Sequence, residues 1–90
     1  MPILIIPAPL RSYVNGQAEV LVSGVNVGEV VESLLVQFPA MRPHLTNSRA
    51  ELRPFVNLFL GKMNIRDLQG LDTPLSKDDI LMLVPSIAGG

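Results

Sequence analysis

The chain has 90 residues, 48% of them hydrophobic, seven basic and eight acidic side chains, a formal net charge of −1 and no cysteine. Such a length makes one small domain, which buries only about 60–65% of its unfolded surface and so needs a well-filled centre. The missing cysteines exclude disulfides, thiolate metal sites and a Cys nucleophile, and the balanced charge excludes an ordinary electrostatic nucleic-acid binder.

Ile3-Leu4-Ile5-Ile6 is an all-apolar run closed by Pro7, which reads as a strand buried on both faces. No basic region precedes it and prolines at 2, 7 and 9 interrupt it, so no signal peptide is expected. Runs such as ILIIPAPL also fall far short of the ~18–20 residues that span a bilayer. A soluble, cytoplasmic chain with neither membrane nor nucleic acid as partner is the expectation. Asn15-Gly16 accepts positive φ and marks a reversal. The β-branched stretch QAEVLVSG is then the return strand of an opening hairpin, with a long connection through residues 7–16.

Asn26 begins a helix, with Glu29 at capping-box spacing. Val27, Val30, Val31, Leu34, Leu35 and Phe38 make one apolar stripe, while Glu29, Glu32, Ser33 and Gln37 take the wet side. Pro39 ends it, because the residue before a proline avoids the α region.

Residues 40–54 carry little periodicity. MRPHL reads as one helical turn and LTNSRA as a loop. Charge here is basic apart from Glu51: Arg42, Arg49 and Arg53, with His44 nearby. A solvated loop is the expected reading, with an anion or partner site as the alternative.

In PFVNLFL, Val56, Leu58 and Leu60 share one face, and Phe55, Asn57 and Phe59 the other. An unpaired buried Asn57 is costly, so the Val-Leu-Leu face should meet the core. Gly61-Lys62 is a two-residue turn into the short edge strand MNIR. After the turn-rich DLQGLDTPLSKDD comes ILMLVP, apolar on both faces and hence a central strand. Alternation allows either parity there; Met82 and Val84 outward with Leu81 and Leu83 inward is the expected one. One helix must cover one face of a mixed sheet of four to five strands, with the first and last strands side by side. That is an α+β, ubiquitin-like β-grasp, spanning residues 1–85 and followed by a flexible Gly-Gly tail over 86–90.

Enzyme chemistry is hard to assemble from these residues. A Ser-His nucleophile would have to use His44, in a loop. Asp78-Asp79 are adjacent in a turn rather than held across a cleft as a general acid/base pair. Gly61-Lys62 is no phosphate loop, since Val56 stands where the motif needs its first glycine. Metal ligation would need a His/Asp/Glu cluster that is missing. The remaining candidate is the terminal carboxylate. Ser86 to Gly90 projects ~15–18 Å when extended, and Gly89-Gly90 forms a thread without Cβ atoms that fits a narrow channel. Adenylation by an ATP-dependent partner would make that carboxylate an electrophile.

FVNLFL, NIRDLQGLDTPL and ILMLVPSIAGG together resemble the MoaD/ThiS-type ubiquitin-like sulfur carrier family, closest to its longer, CysO-like members, over nearly the whole chain. The resemblance implies a non-catalytic carrier that binds no cofactor itself. Gly90 would be adenylated by an E1-like enzyme of the ThiF/MoeB type, which uses ATP, and converted to a thiocarboxylate that donates sulfur. Gly89 and the Ser86-Ile87-Ala88 arm would lie in the partner's channel. The acceptor would be a cysteine synthase-like enzyme or, as an alternative, the large subunit of molybdopterin synthase; thiamine carriers tend to be shorter. Gly61-Lys62-Met63-Asn64 and Ser76-Lys77-Asp78-Asp79 depart from the turns expected of the family but keep the strand spacing.

Similar proteins dock through the outer sheet face beside the tail. Exposed together there, Phe55, Phe59, Met82 and Val84 would form a partner patch. Alternatively they pack in the core or lie under the 40–54 loop. Two other functions stay open: a protein modifier joined through Gly90 to lysines, and a non-covalent module whose glycines are incidental.

Overall fold

The computed structural model describes residues 1–85. Strand β1 (Ile3–Ile5) pairs antiparallel with β2 (Glu19–Leu21), Leu4 opposite Val20. Their long connection is ordered: Ala8–Val14 winds as a 3-10 helix with proline in its first turn, where a missing N–H is harmless. It ends on Asn15 in the left-handed region at φ 58°. The Asn-Gly pair thus does reverse the chain, but by closing a 3-10 helix rather than a two-residue hairpin.

Helix α1 (Val27–Gln37) is capped as its spacing predicts. Asn26 Oδ1 accepts from the Glu29 N–H at 2.8 Å, and Glu29 Oε1 accepts from the Val25 N–H at 3.0 Å. Such a cap contributes about 1 kcal/mol. The return bond lands one residue before the cap because the chain approaches through Gly24, at φ +153°, where a Cβ would sit 2.6 Å from Glu29 Cβ. Val27, Val30, Val31, Leu34 and Leu35 are buried, and Phe38 is half-buried at the C-cap before Pro39.

Beyond a 3-10 turn at Pro39–Met41 lies the short helix α2 (Arg42–Leu45), which sends Met41 and Leu45 into the core. The loop after it is closed by a bridge between Thr46 and Leu52. Its basic groups serve local geometry. Arg53 Nε donates to the Pro43 carbonyl at 2.8 Å, and exposed Arg42 reaches Glu32 at 3.4 Å.

Strand β3 (Val56–Leu60) turns through Gly61-Lys62, with Gly61 at φ +62°, into the edge strand β4 (Met63–Asn64). Two 3-10 turns and a reversal at Ser76–Asp79 lead to β5 (Ile80–Pro85). The sheet order is β2-β1-β5-β3-β4, parallel only between β1 and β5. This is the expected α+β, β-grasp arrangement, a five-stranded mixed sheet packed on one main helix.

One expectation needs correction. β1 is not buried on both faces: Leu4 and Ile6 are sealed, while Ile3 and Ile5 are half-buried. β5 is central by pairing on both edges, yet its outer face is also open, with Ile80 51% and Met82 46% exposed. Helices cover one face of the sheet only, so all-apolar strands leave an apolar outer surface.

Candidate functional site

The tail residues Ser86, Ile87, Ala88, Gly89 and Gly90 lie outside the described residues. What the structure places is the surface from which they continue. β5 runs to Pro85 at the centre of the sheet, flanked by β1 on one side and β3 on the other. Its inward residues Leu81 and Leu83 are sealed at 0% and 1% exposure. Because side chains alternate, Ile80, Met82 and Val84 all point to the open face. The parity is therefore the expected one.

Register builds the rest. Met82 stands between Ile5 of β1 and Phe59 of β3, and Val84 is opposite Asn57. Phe55, just before β3, is 45% exposed. Phe59, Met82 and Val84 thus share the outer side of the sheet, and Phe55 is exposed in the turn that leads into β3. Asn57 sits among them with its Oδ1 accepting from Asn64 Nδ2 at 3.1 Å, which ties the β4 edge to the face. Ile3 and Ile80, paired with each other, carry the apolar surface further. Sequence reasoning missed these two because it took β1 as doubly buried and named only Met82 and Val84 on the outer face of the last strand. The signal available was the single helix, which cannot cover both faces.

At the Pro85 end the face deepens into a groove of about 340 Å³ between β5 and the Pro7–Arg11 stretch. A larger hollow of about 1010 Å³ lies at the other end, beside Pro2, Ser23 and Lys77, away from the point where the tail begins.

The groups weighed for catalysis have other roles. His44 packs on the Tyr13 ring, centroids 4.2 Å apart. Asp79 Oδ2 accepts from the Ser76 N–H at 2.7 Å, so this carboxylate holds the turn before β5. Among the described residues no cluster of His, Asp or Glu has metal-binding geometry, and no helix is long and apolar enough to cross a membrane.

Comparison with known proteins is consistent with this geometry. The model of the ThiS family matches residues 4–90. The sulfur carrier protein CysO of Mycobacterium tuberculosis is 31% identical over 87 residues, covering 94% of each chain. Its crystal structure superposes with a TM-score of 0.87 at 27% identity, over 97% of this chain and 100% of that one. The solution structure of small archaeal modifier protein 1 from Methanosarcina acetivorans gives a TM-score of 0.84 at 29% identity, over 99% and 95% of the two chains.

Proposed function

This chain belongs to the ThiS family, and from that premise we propose that it is a non-catalytic sulfur carrier acting in the cytoplasm through Gly90. The observation that carries the reading is the extent of the family match, which runs through the Gly89-Gly90 end of the chain. The likeness to CysO over 94% of the chain supports it.

In the proposed cycle an E1-like, ThiF/MoeB-type enzyme binds ATP beside the Gly90 carboxylate. A Gly90 carboxylate oxygen attacks the α-phosphorus and pyrophosphate leaves, giving the acyl-adenylate. Sulfide then attacks the carbonyl carbon, AMP leaves with the bonding electron pair, and the sulfide proton goes to solvent. At a cysteine synthase-like acceptor the thiocarboxylate sulfur bonds to the β-carbon of an activated serine as its activating group leaves. Water then cleaves the resulting thioester, releasing the thiol and restoring the Gly90 carboxylate. Glycine at both last positions leaves that carbonyl unhindered. Phe55, Phe59, Met82 and Val84 form the docking surface on the open sheet face, and Ser86, Ile87 and Ala88 thread the partner's channel.

The test is the intact mass after incubation with ATP, sulfide and the adenylating enzyme of the same organism. A gain matching one oxygen replaced by sulfur, lost on deletion of Gly90, is expected. No gain from an enzyme competent on another carrier overturns the reading. The archaeal modifier likeness favours one second reading, transfer of the same activated carboxylate to lysine amines. Higher-mass conjugates that need Gly90 would identify it.

A further inference from the structure

The groove at the end of β5 holds one charged side chain. Its walls are Ile5, Pro7, Pro9, Met82 and Val84, and it closes on Pro85; among the described residues Arg11 is the only ionic side chain that lines it. The guanidinium is positioned: Arg11 Nε donates to the Ile6 carbonyl at 3.0 Å. No other hydrogen bond or ion pair engages it among the described residues, which leaves its two Nη groups available. Ala8–Val14 is wound as a 3-10 helix, so Arg11 sits on a preformed turn with prolines beside it. Little ordering is then needed when a ligand arrives.

An apolar slot with one half-buried, oriented guanidinium suits an apolar side chain next to a carboxylate, because arginine's planar fork binds carboxylate through two parallel N–H groups. We propose that this groove receives an acidic residue and its apolar neighbour from the adenylating enzyme, and that Arg11 determines which enzyme accepts this carrier. The proposal rests on the carrier reading above. Two observations support this occupant. The charge calls for an anionic partner, and the groove is continuous with the open face through Met82 and Val84, at the strand end from which the tail continues. A Gly-Gly terminus offers no side chain to recognise, so selection between carriers falls to the body surface nearest to it.

The experiment measures thiocarboxylation kinetics with the adenylating enzyme that modifies the wild-type chain. Arg11→Glu is expected to raise KM at least about tenfold with kcat within about twofold, and Arg11→Lys to recover part of the loss. Raising salt should raise the wild-type KM and leave that of Arg11→Ala nearly unchanged. Since Arg11 also bonds Ile6, Pro9→Glu is made in parallel; it sets a carboxylate in the wall with that bond intact and should raise KM likewise. Unchanged KM in folded Arg11→Glu and Pro9→Glu chains overturns the proposal. So does a shift of the Arg11 Nε–H NMR signal on deleting residues 86–90 from the free protein, because the tail would then be the occupant. Failure of the wild type to be modified at all would instead defeat the carrier reading.

Discussion

Arg66 stands just beyond the two-residue strand β4, and its guanidinium ties down the approach to β3. Nη1 donates to the Pro54 carbonyl at 2.7 Å, and Nη2 to those of Arg53 and Val56 at 2.8 and 2.7 Å. These carbonyls lie just before and at the start of the strand that carries Phe59, so the contact joins backbone order to the open sheet face. The planar guanidinium holds two separated nitrogens toward the three acceptors, a span that the single rotatable ammonium of lysine does not match. Arg66→Ala should lower stability by about 1–2 kcal/mol after allowance for its exposure. Arg66→Lys should restore less than half of that. Urea unfolding with an unchanged slope reads both. Nothing in the linear sequence announced this role, because the contacts span 10 to 13 residues and depend on where the loop turns.

The strand β5 separates buried from open-face side chains by parity alone. Leu83 is sealed against the helix layer, and Met82 beside it is about half exposed. Leu83→Ala should therefore cost 2–5 kcal/mol through lost burial and the cavity left behind, a large share of the stability of so small a domain. Met82→Ala should cost less than about 1 kcal/mol and instead weaken thiocarboxylation by raising KM. Thermal unfolding and kinetics on the same two variants separate these outcomes. A matched loss of stability at both positions would contradict the assigned faces. At this scale α1 was legible from its stripe and cap, since both are local. The 40–54 segment was less so, because α2 is only four residues long and is held by Met41 and Leu45 entering a core built from distant strands.

Taken whole, the molecule is a two-layer body with one covered and one open sheet face. Among the described residues the buried apolar core runs from Leu4 to Leu83. Deleting Gly89-Gly90 should thus leave the melting temperature within about 3 °C, a change worth under roughly 0.5 kcal/mol in a domain of this size. Conversion by the adenylating enzyme should be abolished. A chain that loses its fold together with its last two residues would show that they brace the body, against the reading of them as a reactive end.

By itself the sequence determined the capped helix, the opening hairpin, the Gly61-Lys62 turn and the adjacency of first and last strands. Each follows from short-range periodicity, turn chemistry or the need to place apolar strands centrally. It also offered the Gly90 carboxylate as the candidate reactive group, through the family resemblance of the segments that lead to it. Only the tertiary structure decided which face of β5 is open and that β1 shares this openness. It also placed Arg11 in a groove beside Met82 and Pro85. Alternation in a strand that is apolar throughout fits both parities equally; the choice is made by the side on which α1 packs. A cation acquires its surroundings only when the Pro7–Arg11 stretch folds against a strand some seventy residues further along the chain.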